Sequence, residues 1–253
     1  MKGIILSIAL VVVCGAAIAQ EPLIIDHNCI DLEAIPMSWI EQVQANARMH
    51  YAHTSHGGQL TGGLGLIEDD DASYAYDDGY CSLPTTPGAF CIYDGQIGDD
   101  YISPEDYWET HTGMNNTRTV LNNNPSINYS MFCWCGQMSY YSADQVYAYL
   151  DSMATLQAEF PDVTFIFMTG HAQYDGWDGW TRRNNNNIIR DYVQLNNKVL
   201  FDFADIDCHY LGELHTYDYE GEDIPLEHPH YAGEDMAHTS YENCQHKCIA
   251  FWW

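Results

Sequence analysis

Positive charge is what this sequence has least of. Its 253 residues hold 8 Lys and Arg against 36 Asp and Glu, a formal net charge of −28 at pH 7. So acidic a surface repels phosphate backbones and anionic lipid, and no nucleic-acid partner is expected. No segment after residue 20 is long and apolar enough for a membrane helix, so no integral membrane segment is expected. Internal repeats and long linkers are lacking too, which leaves one large domain over 20–253. The acidic runs Glu68-Asp69-Asp70-Asp71, Asp77-Asp78 and Asp99-Asp100 lack the glycine and terminal glutamate of the twelve-residue calcium loop, and read as solvated loops. Zinc-ribbon spacing is absent: Cys133 and Cys135 stand two apart, Cys244 and Cys248 four apart. No metal and no cofactor is expected.

What is present begins at the N-terminus. Lys2, an apolar stretch over 4–13 and Ala17-Ile18-Ala19 form the pattern of a cleaved signal peptide over 1–19. The mature chain is expected to be secreted or extracytoplasmic. Of nine cysteines, the leader takes Cys14 and leaves Cys29, Cys81, Cys91, Cys133, Cys135, Cys208, Cys244 and Cys248. An even number in an exported chain predicts disulfides, with connectivity left open. Cys81 and Cys91 flank a Pro/Gly loop that a bridge would close. Cys244 and Cys248, one helical turn apart, are a poor pair.

Periodicity predicts a helix over 36–47 with Trp39, Ile40 and Val43 on one face, then a short strand over 48–53. Residues 56–125, rich in Gly, Asp, Tyr and Pro, read as a long elaborated loop with one helix near 117–122. The second half alternates: strand 127–134, helix 142–160 capped by Ser142, strand 163–168, helix 183–196, strand 198–203 and a closing helix over 241–253. Such alternation predicts an α/β fold, a parallel sheet flanked by helices. In these sheets ligands bind beyond the carboxyl ends of the strands. Four predicted strands end in polar or reactive clusters: 53–57, 135–137, 169–171 and 205–209.

Ser55 follows the first of these strands in His53-Thr54-Ser55-His56-Gly57, at a glycine-bordered turn where a hydroxyl and backbone N–H groups are exposed. A serine nucleophile needs a base and a carboxylate that orients the base. Asp235-Met236-Ala237-His238 supplies both types on one loop before the last helix. Asp205, Asp207 and His209 serve either as metal ligands or as loop caps. Tyr174, Trp177 and Trp180, near Gly176 and Gly179, either stack on sugar rings or pack within the fold.

Together these segments resemble the SGNH (GDSL-like) hydrolase superfamily, which places its serine after the first strand and D-x-x-H before the last helix. More narrowly, HTSHG, WCGQ, TGH and DFAD are similar to segments of secreted bacterial proteins of SGNH-like organisation. The resemblance implies a three-layer, flavodoxin-like sheet with a long loop-rich insertion after the first strand. It implies ester hydrolysis, often of acyl groups on carbohydrates. On it, Ser55 is the nucleophile, His238 the base and acid, and Asp235 the group that orients His238. The oxyanion hole takes the Ser55 N–H, Gly98 and Gln137. Apart from the resemblance, His53, His56 and His171 either contact substrate or serve as hydrogen-bonded structural groups, and Trp177 is a candidate substrate contact. The chain departs from the family pattern in having His53-Thr54-Ser55 for G-D-S and Gln137 for the usual asparagine.

Two other functions stand beside this reading. One is a metal-dependent hydrolase built from His53, His56, His171, Asp205, Asp207 and His209. The other is a glycan-binding or surface protein on an inactive hydrolase scaffold, in keeping with 19 Tyr and 7 Trp.

Overall fold

A computed structural model describes residues 21–231 and 248–253. The expected signal peptide, Asp235, His238, Cys244 and most of the expected closing helix lie outside the described residues.

Seven strands form one parallel sheet: β1 (Leu23–Ile25), β2 (Arg48–His53), β3 (Tyr76–Tyr80), β4 (Phe90–Asp94), β5 (Tyr129–Cys133), β6 (Thr164–Met168) and β7 (Val199–Phe201). Their order is β1-β7-β6-β5-β2-β4-β3. Parallel strands need crossover connections, and these carry α1 (Met37–Asn46), α2 (Gly58–Asp70), α3 (Pro104–Tyr107), α4 (His111–Asn123), α5 (Ala143–Glu159) and α6 (Gly176–Asn196). A short helix, α7 (Phe203–Cys208), follows β7. Two small antiparallel ribbons come after it: β8 (His209–Tyr210) with β9 (Glu213–Leu214), and β10 (Thr216–Tyr219) with β11 (Glu222–Pro225). None of the described helices is long and apolar enough to cross a membrane.

Alternation along each strand divides the core into two layers. Met49 and Tyr51 of β2 face α1 and the C-terminal turn at Ala250–Trp252. An apolar cavity of about 170 Å³ lies there, lined by Val43, Met49, Met131, Phe201 and Trp252 among others. The opposite face packs aromatic rings against α3, α5 and α6. Trp134 meets Tyr149 at 4.7 Å between ring centres, Tyr107 meets Phe132 at 5.5 Å, and Phe167 meets Tyr192 at 5.4 Å. These buried rings explain why β5 and β6 read as continuous apolar runs: both their faces are covered.

Numbered from β2, the segment β4-β2-β5-β6-β7 runs 2-1-3-4-5, the flavodoxin-like order. β3 and β1 extend it at the two edges. The switch point falls between β2 and β5. The chain leaves β2 toward β4 on one side and leaves β5 toward β6 on the other, so a crevice opens between their carboxyl ends.

The 56–125 region corrects the expectation of a long loop-rich insertion. It holds α2, β3, β4, α3 and α4. Four glycines in Gly58–Asp70 obscure α2, because glycine weakens helices. Leu60, Leu64 and Ile67 nonetheless recur at helical spacing and are buried, and that burial decides the matter. Trp39 is 48% exposed, so α1 packs through Ile40 instead. α6 starts at Gly176, seven residues earlier than its apolar pattern implies, and puts Trp177 and Trp180 on a helix and not on a glycine-rich loop.

The expected disulfides are not found among the described residues, where Cys29, Cys81, Cys91, Cys133, Cys135, Cys208 and Cys248 are unpaired. The sheet register explains why Cys81 and Cys91 stay apart. Cys91 lies opposite Asp77, and Cys81 comes just after Tyr80, which lies opposite Asp94. Four residues of strand separate them, about 13 Å, beyond disulfide reach.

Candidate functional site

The turn after β2 is built by close packing. Residues Ser55–Gly57 form a single 3-10 turn that runs straight into α2. A Cβ on Gly57 would lie 2.1 Å from the Cβ of His53, so only glycine fits there. The Tyr51 hydroxyl donates to the Gly57 carbonyl at 3.0 Å. His53 is buried beneath the turn, its Nδ1 2.7 Å from the Thr54 carbonyl and its Nε2 2.9 Å from Asp94 Oδ1 at the end of β4. Burial works against charge on this ring, but Asp94, the Thr54 carbonyl and Asp100 together outweigh it and the His53 pKa is raised. His53 thus braces the turn that carries Ser55.

Ser55 is half-buried at the switch point, with Oγ 3.9 Å from Cys135 Sγ across the crevice. Cys135 follows β5, and its backbone N–H donates to Gln137 Oε1 at 2.8 Å. That bond turns the amide oxygen of Gln137 inward; its Nε2 is the end able to donate to an oxyanion. His56 Nδ1 lies 3.2 Å from Cys135 Sγ, and its Nε2 lies 3.3 Å from Gln173 Oε1. His171, at the end of β6, stacks on His56 with ring centres 3.7 Å apart and planes 7° from parallel. Its Nδ1 accepts the Gln173 N–H at 3.1 Å, which leaves the ring proton on Nε2 when the imidazole is neutral. Ser55, His56, Gln137 and His171 therefore converge on one crevice. Gly98 stands apart at an exposed turn beyond β4, where its carbonyl accepts the Tyr80 hydroxyl at 2.5 Å. Among the described residues no hydrogen bond joins it to Ser55.

The loops beyond β5, β6 and β7 are tied down from α6. Asn186 Oδ1 accepts the Gly170 N–H at 2.9 Å, and Asn185 Nδ2 donates to the Met138 and Tyr141 carbonyls at 3.0 and 2.8 Å. Buried Arg182 donates to the carbonyls of Gln173, Tyr174 and Pro225. Arg190 forks onto Asp202, with Nε to Oδ2 and Nη2 to Oδ1 both 2.7 Å, and Asp202 also accepts the Thr169 hydroxyl at 2.9 Å. The polar run 184–187 is thus structural in part. Its amides span from one helix to the two loops that carry Cys135 and His171, a role that sequence reading missed. Nothing in a run of four asparagines marks Asn185 and Asn186 as the buried pair; only the packing of α6 does.

The histidines and carboxylates proposed for a metal site divide into separate groups. Asp207 Oδ2 accepts the Ala172 N–H at 2.7 Å. Asp205 Oδ2 takes His27 Nδ1 at 2.5 Å, and His27 stacks on His209 at 3.8 Å. Among the described residues, two trios bring ligand-type atoms within 4.8 Å of one another: His56, Cys135 and His171, and His27, Asp205 and His209. In both, the two imidazoles lie face to face. Imidazole lone pairs lie in the ring plane, so parallel stacked rings aim them side by side and not at one point.

Trp177 is 61% exposed on the first turn of α6 and stacks on Trp180 at 4.9 Å. Tyr174, also exposed, lies 5.6 Å from the His171 ring, so an aromatic surface adjoins the crevice.

Compared with family models and with curated proteins, the sequence matches none.

Proposed function

We propose that this chain is a secreted ester hydrolase of SGNH-like organisation that removes acyl groups from carbohydrate. The observation that carries the reading is the position of Ser55, half-buried in the turn between β2 and α2, at the switch point of a flavodoxin-order sheet. That is where such sheets hold ligands. Ser55 attacks the acyl carbon. His238, oriented by Asp235, takes its proton and returns it to the leaving alcohol. Both residues lie outside the described part, on the loop that the sequence sets before the C-terminal turn. The developing oxyanion is held by the Ser55 N–H and the Gln137 amide, with Gly98 as the further donor that the resemblance supplies.

The aromatic surface of Trp177, Trp180 and Tyr174 supports a sugar-bearing substrate, because exposed rings stack on the apolar faces of pyranoses. The same surface favours the second reading, a glycan-binding protein without turnover.

Acetylated oligosaccharides and p-nitrophenyl acyl esters separate the two. The expected result is turnover that falls by about 10³-fold or more in Ser55→Ala. Full activity of Ser55→Ala on every ester that the wild type cleaves would overturn the serine assignment. Saturable glycan binding with no turnover would favour the second reading.

A further inference from the structure

Besides Ser55, the crevice holds a second group built for covalent chemistry. The geometry points to Cys135 as a thiol nucleophile, with His56 as its base and Gln173 as the group that orients the base, able to accept acyl groups as a thioester.

Three contacts carry this. The sulfur of Cys135 lies 3.2 Å from His56 Nδ1. His56 Nε2 faces the Oε1 of Gln173 at 3.3 Å. An amide oxygen only accepts, so Nε2 carries the ring proton, and Nδ1 presents its lone pair to the thiol. Nucleophile, base and orienting group thus form one chain of contacts, the general pattern of an activated nucleophile. Cys135 is half-buried and opens on the crevice, as a reacting group must. Cys29 and Cys81 are half-buried too, but burial raises the Cys29 pKa and the Cys81 thiol donates to the Asp99 carbonyl. Cys91, Cys208 and Cys248 donate to backbone carbonyls and are buried. Burial pushes the Cys133 thiol up to about 12.

In the step, the Cys135 S–H proton passes to His56 Nδ1 as sulfur bonds the acyl carbon of an ester. The carbon–oxygen bond to the alcohol breaks, and the alcohol leaves with that proton. Water then attacks the thioester carbon, a proton returns to sulfur by way of His56, and the acid departs. The sum is ester plus water to acid plus alcohol. Nothing in the step requires Ser55.

The test uses the full chain treated with p-nitrophenyl acetate, quenched in acid and mapped by peptide mass spectrometry. Peptides bearing Ser55 and Cys135 are distinct, so the serine reading and this one succeed or fail separately. The expected result is an acetyl group on Cys135, formed about 100-fold more slowly in His56→Gln. Gln173→Glu, which keeps an accepting oxygen, retains the rate, and Gln173→Leu loses it. Thermal melting of each variant checks folding. The proposal is overturned if folded wild type takes no acetyl group on Cys135, or takes it as fast in folded His56→Gln. It is also overturned if Cys135 becomes reactive only after chelator treatment, which would make His56, Cys135 and His171 a metal site instead.

Discussion

At the residue scale, Gly57 is a position in the candidate site where one methyl group has a large effect. A methyl group there meets the Cβ of His53 at 2.1 Å and lies 2.7 Å from the Tyr51 hydroxyl. Neither neighbour can move freely, because His53 is held by Asp94 and the Thr54 carbonyl. Gly57→Ala is expected to destabilise the fold by about 2 kcal/mol through overpacking, read by urea denaturation. It should also displace Ser55, so labelling of that serine by an active-site probe should slow more than stability alone explains. Ser55 and Gln137 were legible as candidates because each sits in a short polar motif after an apolar run. The contact of Cys135 with His56 was not legible. These residues are 79 apart in sequence and meet only because β2 and β5 are neighbours in the sheet. The structural duty of His53 was hidden likewise, since Asp94 lies on a strand within the region read as loop.

At the scale of elements, legibility followed burial. β5, α5 and β6 were read within two residues at each end, because long apolar runs and the Ser142 cap mark them. α2 was missed, since its glycines outweigh three well-spaced apolar residues until the sheet that buries them is known. α6 was found late, its first turn being polar and aromatic and its hold on the loops running through Arg182, Asn185 and Asn186. The pairing of α6 with the end of β7 can be tested alone. Asp202 is nearly buried and takes both prongs of Arg190. Arg190→Met would leave that carboxylate without its cation, at an expected cost of about 3 kcal/mol in chemical denaturation. Asp202→Asn in the same background should recover part of it, since a neutral amide no longer needs the cation.

On the scale of the whole molecule, two buried histidines give stability opposite slopes with pH. His50 lies in the sheet, with Nδ1 3.0 Å from the Ser130 hydroxyl, and burial lowers its pKa from 6.5 to about 4, against smaller raising effects of the Gly95 carbonyl and Asp94. The unfolded chain takes up a proton that the folded one refuses. Its contribution is therefore present above pH 6.5 and is lost as pH falls toward 4, by about 3 kcal/mol. His53 runs the other way. Its folded pKa is raised by Asp94, with help from the Thr54 carbonyl and Asp100, against the opposing effect of burial. The stability it supplies is complete below pH 6.5 and is lost as pH rises through its folded value. Stability measured by denaturant across pH 4–9 should show both limbs. Asp94→Asn should flatten the alkaline limb and, by removing a charge that favours protonated His50, leave the acid limb at least as deep.

The same sheet that buries these histidines sets Ser55 at its switch point, and the function proposed for the molecule rests on that serine being activated. The most direct measurement is reaction of the intact, folded chain with a fluorophosphonate, followed by peptide mass spectrometry. The expected result is one adduct per chain, on Ser55, absent from Ser55→Ala and lost in His238→Ala. An unmodified Ser55 in folded protein, under conditions that label a known serine esterase, would contradict it.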